Sequence, residues 1–235
     1  MRKFKIKIFA DGADTKHMLA LNKKKYIKGL TTNPTLMRAS GVKNYELFAK
    51  NILRKIKKKP ISLEVFSDDF FEMEKQAIKI NSWGKNVYVK IPITNSKGKS
   101  SFNLIRKLSN RGIKLNVTAI TTIQQIIKLK KFLNKNVPCV ISVFAGRIAD
   151  TGRDPIPYMK KAVQTFKDYK LAEVLWASTR EILNIIQANN VGCHIITVPP
   201  NLLNKINLLN YNLKKYSLDT VKNFYNDAKK SNYKI

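Results

Sequence analysis

Short apolar runs rich in β-branched residues alternate with longer stretches in which apolar residues recur every three or four positions. The short runs cover residues 5–11, 29–34, 61–66, 87–92, 114–120, 139–146, 172–178 and 194–200. Their near-continuous hydrophobicity is the pattern of parallel strands covered on both faces. The stretches between them read as amphipathic helices over 44–57, 68–80, 100–108, 122–133, 155–166 and 179–188. Ser67-Asp68, Thr121 or Thr122, and Asp154-Pro155 are helix-start signals in front of three of them. Strand–helix units in this order predict an α/β fold, a closed (β/α)8 TIM barrel. A doubly wound open sheet is the alternative. It usually carries a Gly-rich first turn, and the nine glycines here form no G-x-G-x-x-G or Walker-type loop. After the eighth strand, Ser217-Leu218-Asp219-Thr220-Val221 followed by Phe224, Tyr225 and Ala228 predicts an extra C-terminal helix over 217–231. Residues 1–235 thus read as a single barrel domain ending in that helix.

Length agrees, since a barrel of this kind takes about 250 residues and the chain has 235. No apolar run approaches the roughly 18–20 residues of a membrane span. Met1–Ala10 is basic then apolar, but its apolar part is too short for a signal peptide. A soluble cytoplasmic protein is the expectation, with no membrane partner. Cys139 and Cys193 sit in apolar runs without metal-ligand spacing, and His17 and His194 do not cluster with them. Buried, inert thiols are expected, with His194 at a strand start.

The formal charge of +30 raises nucleic-acid binding. Lysine supplies most of it and is spread along the chain, whereas arginine, which clamps phosphates and reads bases, is scarce. The run Lys55-Ile56-Lys57-Lys58-Lys59 falls where a helix should end, which suits its dipole. A nucleic-acid partner is therefore not expected from the sequence. A basic surface would also draw in anionic sugar phosphates.

The informative feature is polarity at strand ends. In a barrel, alternate residues point inward and chemistry sits at the C-terminal rim. Asp11, Asn33, Glu64, Lys90, Asn116, Thr118, Ser142 and Ser178 all fall there. Burying such groups unpaired would cost a few kcal/mol each, so their convergence points to a site. Lys90, between Val89 and Ile91, is the sharpest. A snorkelling lysine with its head in water is one reading. A desolvated nucleophile with a lowered pKa, able to attack a carbonyl, is the other. Asp11 and Glu64 would push that pKa up, so desolvation or a nearby cation must outweigh them. Arg147 and Arg180 follow the sixth and seventh strands. A guanidinium beside a helix N-terminus, as expected for Arg180, makes a phosphate seat.

These residues resemble the transaldolase family. Thr31-Thr32-Asn33-Pro34-Thr35 looks like its T-T-N-P-[ST] signature, and Val87-Tyr88-Val89-Lys90-Ile91-Pro92 its Schiff-base strand. Leu115-Asn116-Val117-Thr118, Ser142-Val143-Phe144-Ala145-Gly146-Arg147-Ile148 and Ala177-Ser178-Thr179-Arg180 match later motifs in order, and Ser217–Asp227 looks like the family's last helix. The resemblance implies metal-free class I aldol chemistry on sugar phosphates, with no cofactor. It makes Lys90 the imine-forming nucleophile and Asp11 the proton carrier at the C4 hydroxyl. Glu64, with Thr118 and a water, would handle the protons of imine formation and hydrolysis. Asn33 and Asn116, helped by Ser142, would hold a dihydroxyacetone unit, and Arg147, Ser178 and Arg180 the phosphate.

Small members divide into transaldolases and fructose-6-phosphate aldolases. Glu64 and Phe144 resemble the transaldolase choices, where the aldolases carry Gln and Tyr. A tyrosine hydroxyl can donate a proton and phenylalanine cannot, so transfer is expected over cleavage. A homo-oligomer is implied by likeness to ring-forming members. Gly12-Ala13-Asp14 after Asp11, Val143, Trp176 and Asp154-Pro155 depart from the family pattern and leave the sugar open. A catalytically retired, nucleic-acid-binding barrel is the rival from outside enzymology.

Overall fold

Eight parallel strands pair in sequence order and close, β8 returning to β1, in a computed structural model that describes residues 4–233. The strands are β1 (Lys7–Asp11), β2 (Ile27–Thr31), β3 (Ile61–Glu64), β4 (Val87–Pro92), β5 (Leu115–Ile120), β6 (Cys139–Val143), β7 (Ala172–Trp176) and β8 (Ile195–Val198). The helices between them are α1 (Thr15–Lys23), α2 (Pro34–Ala39), α3 (Tyr45–Lys55), α4 (Phe70–Asn81), α5 (Phe102–Asn110), α6 (Ile123–Lys130), α7 (Ala145–Ala149), α8 (Ile156–Phe166) and α9 (Leu183–Asn190). Beyond the barrel come α10 (Pro200–Leu203) and α11 (Leu213–Lys230). The open-sheet alternative is excluded by the closing ladder, which pairs Lys7 with Ile195 and Ala10 with Val198.

Alternation along each strand separates two interiors. Outward residues such as Leu30, Leu63, Val89, Val117 and Ile141 pack under the helices in one large core. Each such side chain, fully buried, contributes roughly 1.5–3 kcal/mol. Inside the barrel, Phe9, Val140, Leu175, Ala177 and Ile195 form a smaller apolar plug against Tyr88 and Phe144. Gly29 on β2 makes room for that plug. A Cβ there would lie 2.5 Å from the Phe9 ring.

Several boundaries differ from the sequence pattern, each for a local reason. β2 begins and ends earlier than the expected 29–34, because Asn33 leaves the ladder to cap α2, accepting from Leu36 N at 2.9 Å. α1 and α2, absent from the pattern, are short; Asp14 caps α1 through His17 N at 2.7 Å. Asp69, not Asp68, caps α4, while Asp68 accepts from the backbone N–H and hydroxyl of Ser96 in the next loop. Thr122 forms a capping box with Gln125, and Asp154 accepts from Ile156 N, both near the expected starts. The helix expected over 179–188 begins only at Leu183, since Asn184 Oδ1 accepts from Arg180 N and Glu181 N and holds that segment as a loop. The sixth, seventh and eighth strands stop two or three residues before their apolar runs do, and Ala145-Gly146-Arg147 turns into α7. α11 starts four residues before the expected 217, capped by Asn212. None of its residues is buried.

Candidate active site

Register brings the central pair together. Glu64 and Lys90 are direct partners across β3 and β4, and Lys90 and Asn116 across β4 and β5. Neighbouring parallel strands lie about 4.8 Å apart, so side chains on one face touch. The Lys90 ammonium donates to Glu64 Oε2 at 2.9 Å and to the Thr32 carbonyl at 2.8 Å. Lys90 is only 7% exposed, which removes the snorkelling reading.

Asp11, at the end of β1, accepts from Thr31 Oγ1 at 2.8 Å. That hydroxyl also lies 2.5 Å from Thr197 Oγ1 on β8. A threonine has one proton to give, and Thr31 gives its proton to the carboxylate, so Thr197 donates to Thr31. Burial, the largest influence, raises the Asp11 carboxyl above its usual range, against the opposing pull of Lys90 and the Thr31 bond. Asn116 Nδ2 donates to Ser62 Oγ at 2.9 Å, and Ser142 Oγ donates to Asn116 Oδ1 at 2.6 Å. Thr118 Oγ1 is buried and has no hydrogen-bond partner among the described residues.

All eleven residues singled out from the sequence line one cavity of about 430 Å³ at the C-terminal mouth. Asp11, Glu64, Lys90, Asn116, Thr118 and Ser142 come from the strands, Asn33 and Phe144 from just beyond β2 and β6, Arg147 from α7, and Ser178 and Arg180 from the loop after β7. Two backbone positions at this rim, Ala119 and Ser178, have φ of 60° and 63°. Non-glycine residues seldom adopt such angles, and they gather at functional sites.

Arg180 corrects one expectation. It lies in a loop rather than at a helix N-terminus, and it is engaged by Asp150, Nε to Oδ1 at 2.9 Å and Nη2 to Oδ2 at 2.5 Å. This pair lowers the Asp150 carboxyl and raises the Arg180 guanidinium. Sequence reasoning missed Asp150, Thr31, Thr197 and Ser62. Two-residue alternation from Glu64 would have found Ser62; Thr31 and Thr197 needed the register between strands, and nothing local signals Asp150. Trp176 and Val143 belong to the outer core and do not line the cavity. Their departure from the family pattern therefore leaves the cavity wall unchanged.

The thiols of Cys139 and Cys193 are free and buried, and burial pushes both up to about 12. His194 immediately precedes β8 and accepts from Val174 N through Nδ1. Among the described residues, no group of three His, Cys, Asp or Glu side chains could hold a metal, and no helix is long and apolar enough to cross a membrane.

The ladder and mouth define a (β/α)8 barrel with a lysine–carboxylate site. The chain belongs to the transaldolase/fructose-6-phosphate aldolase family, which matches residues 8–235. Similar proteins include a "Probable transaldolase" of Nitrosopumilus maritimus (strain SCM1), 34% identical over 96% of each chain. Another "Probable transaldolase", from Sulfurihydrogenibium sp. (strain YO3AOP1), is 35% identical over 83% of this chain and 85% of its own. Among solved structures, a HpcH/HpaI aldolase/citrate lyase family protein from Burkholderia cenocepacia J2315 superposes with a TM-score of 0.60. It covers 92% of this chain and 94% of its own at 10% identity, a likeness of fold alone.

Proposed function

We propose that the protein is a transaldolase, moving a dihydroxyacetone unit from a ketose phosphate to an aldose phosphate through a Schiff base on Lys90. The observation that carries this is the buried Lys90–Glu64 pair, facing a polar cavity that ends in arginines. Glu64 takes a proton from the ammonium, and the freed amine attacks the ketose C2 carbonyl. Loss of water, assisted by Glu64 and the unpartnered Thr118 hydroxyl, leaves a protonated imine. Asp11, which burial predisposes to hold a proton, removes the C4 hydroxyl proton. The C3–C4 bond breaks toward the imine, its electron pair giving the enamine and releasing an aldehyde. The enamine then attacks an acceptor aldehyde, and Asp11 returns the proton to the new hydroxyl. Asn33, Asn116 and Ser142 hold the three-carbon unit; Arg147, Ser178 and Arg180 seat the phosphate. The protonated imine on Lys90 is the electron sink, so the scheme uses no cofactor. Phe144 offers no proton to the enamine, which favours transfer over release.

The same reading takes residues 1–235 as one barrel domain working in carbohydrate metabolism of the pentose phosphate kind. It places the protein in the cytoplasm, where two buried free thiols stay reduced. It also makes the protein a homo-oligomer. Leu213, Val221 and Phe224 on α11 are 81%, 60% and 69% exposed and need an apolar cover, which a second copy provides.

Borohydride trapping with fructose 6-phosphate tests the nucleophile: the adduct forms on Lys90 and is absent from a folded Lys90→Met variant. Glyceraldehyde 3-phosphate release that requires erythrose 4-phosphate identifies a transaldolase. Release without the acceptor identifies an aldolase, and no release with no adduct sinks both readings.

A further inference from the structure

The lysines run the whole length of the sequence, but the fold sorts them by end. In the connections that lead from a helix into a barrel strand, at the end opposite the cavity, there are twelve lysines and arginines and one carboxylate, Asp168. Asp168 is already paired with Lys130 at 2.6 Å. The connections from β1 through β7 into the main helices, at the cavity end and with α2 and α7 included, hold seven cations and six carboxylates. A chain-wide lysine bias would load both ends alike. Helix dipoles favour cations in the last turn, yet Lys25, Lys57, Lys58 and Lys85 lie past their helix ends.

Part of this face is built as one surface. The Lys59 ammonium donates to the carbonyls of Asn22 and Lys24, joining the loop before β3 to the loop before β2. Asn86 Nδ2 lies 2.8 Å from the carbonyls of Ile56 and Lys59, joining the loop before β4. Lys114 donates to the Lys85 carbonyl, joining the loop before β5. These clamps set the exposed Lys24, Lys25, Lys57, Lys58 and Lys85 on three adjacent loops, before β2, β3 and β4. None of the five forms an ion pair among the described residues. Burial and neighbouring Lys28 hold Lys59 below the usual range for an ammonium, as expected where cations crowd.

We propose that this face binds nucleic acid through the phosphate backbone, without regard to sequence. Lysines act as point charges on phosphates, and counterion release drives such binding. An acidic membrane surface is disfavoured because lasting attachment also needs apolar side chains to insert. Of the large exposed hydrophobic residues, Leu171 alone lies in these connections. The face is opposite the catalytic mouth, so an occupied face leaves the cavity open.

The test is fluorescence anisotropy of a short labelled RNA with the full chain, titrated from about 50 to about 200 mM salt. The variant Lys25→Glu/Lys57→Glu/Lys58→Glu/Lys85→Glu is compared with a control carrying the same charge change elsewhere, Lys97→Glu/Lys99→Glu/Lys214→Glu/Lys222→Glu. Four lost phosphate contacts lower the slope of log affinity against log salt by about 3 and weaken low-salt binding at least about tenfold. The control retains both, and both variants keep wild-type melting and turnover. Equal weakening by the two variants would mean that net charge alone matters and overturns the proposal. So would no RNA binding at low salt, or stronger binding to phosphatidylserine vesicles than to RNA.

Discussion

Replacing Gly146 by alanine probes how α7 and the 177–180 loop, the two segments proposed to seat the phosphate, are held together. An ideal Cβ at Gly146 would stand 1.6 Å from the Ser178 carbonyl oxygen and 2.7 Å from its carbonyl carbon. Reaching even a tight 3.0 Å requires a displacement of about 1.4 Å. The obstacle is backbone, and Ser178 already occupies a left-handed φ of 63°, so the turn has little room to give. The Gly146 N–H bond to Ala177 O, 3.3 Å long, goes with it. α7 and the 177–180 loop must separate, carrying Arg147 away from Ser178 and Arg180. Overpacking of this kind costs about 1–3 kcal/mol, which lowers the melting temperature by roughly 3–10 °C in a chain of this size. Loss of one charge-assisted contact, about 1.5–3 kcal/mol, raises KM for a phosphorylated ketose by roughly 10- to 150-fold. The assay is steady-state kinetics with a ketose phosphate and its dephosphorylated counterpart, beside thermal melting. The KM effect is confined to the phosphorylated substrate. An unchanged melt with unchanged KM, or equal losses on both substrates, would refute the coupling of these loops to phosphate recognition.

Three further expectations follow from the same geometry. Asp11→Asn keeps the Thr31 hydrogen bond and removes a charge that burial disfavours. Because the folded carboxyl is raised, its contribution is present below the unfolded value of 3.8 and lost as pH rises through the folded one. The variant therefore melts higher than wild type near neutral pH, the difference closes toward pH 3.8, and turnover disappears; a lower melt at neutral pH would contradict the burial argument. Asp150→Asn releases Arg180 from its pair, so KM for phosphorylated substrate falls with little change in kcat; a raised KM would show that Asp150 orients Arg180 for phosphate instead. Val221→Glu with Phe224→Glu on α11 lowers the mass in light scattering from that of the proposed oligomer to that of one chain while the barrel melts normally, and an unchanged mass would refute an interface on α11.

The fold was legible because parallel strands buried on both faces leave runs that few other structures produce. Boundaries were less so, because apolar character continues past the last ladder bond, as in Phe144-Ala145, where the chain turns into α7. Lys90, Asp11 and Glu64 were visible as charges inside apolar runs. Thr31 and Thr197 were not, since threonine is at home in any strand and only the register shows which hydroxyls meet a carboxylate. Asp150 needs two loops brought together, which no local pattern carries. The basic face was hidden for a related reason. Its lysines are scattered through the sequence, and only closure of the barrel puts their connections at one end.

The direction of each proton around the cavity follows from counting donors. Ser142 gives its hydrogen to Asn116 Oδ1, which fixes the amide orientation. One Asn116 N–H goes to Ser62, leaving the second uncommitted. Thr118 keeps its hydroxyl hydrogen, and Asn33, whose Oδ1 caps α2, keeps both of its own. The uncommitted N–H and O–H groups are donors on the wall beside Lys90, and the carboxyl oxygens of Glu64 and Asp11 line the same cavity. That arrangement suits a ligand rich in hydroxyl and carbonyl oxygens. It also explains how polar groups persist inside a barrel: Thr31 pairs with Thr197, and Ser62 and Ser142 both bond Asn116.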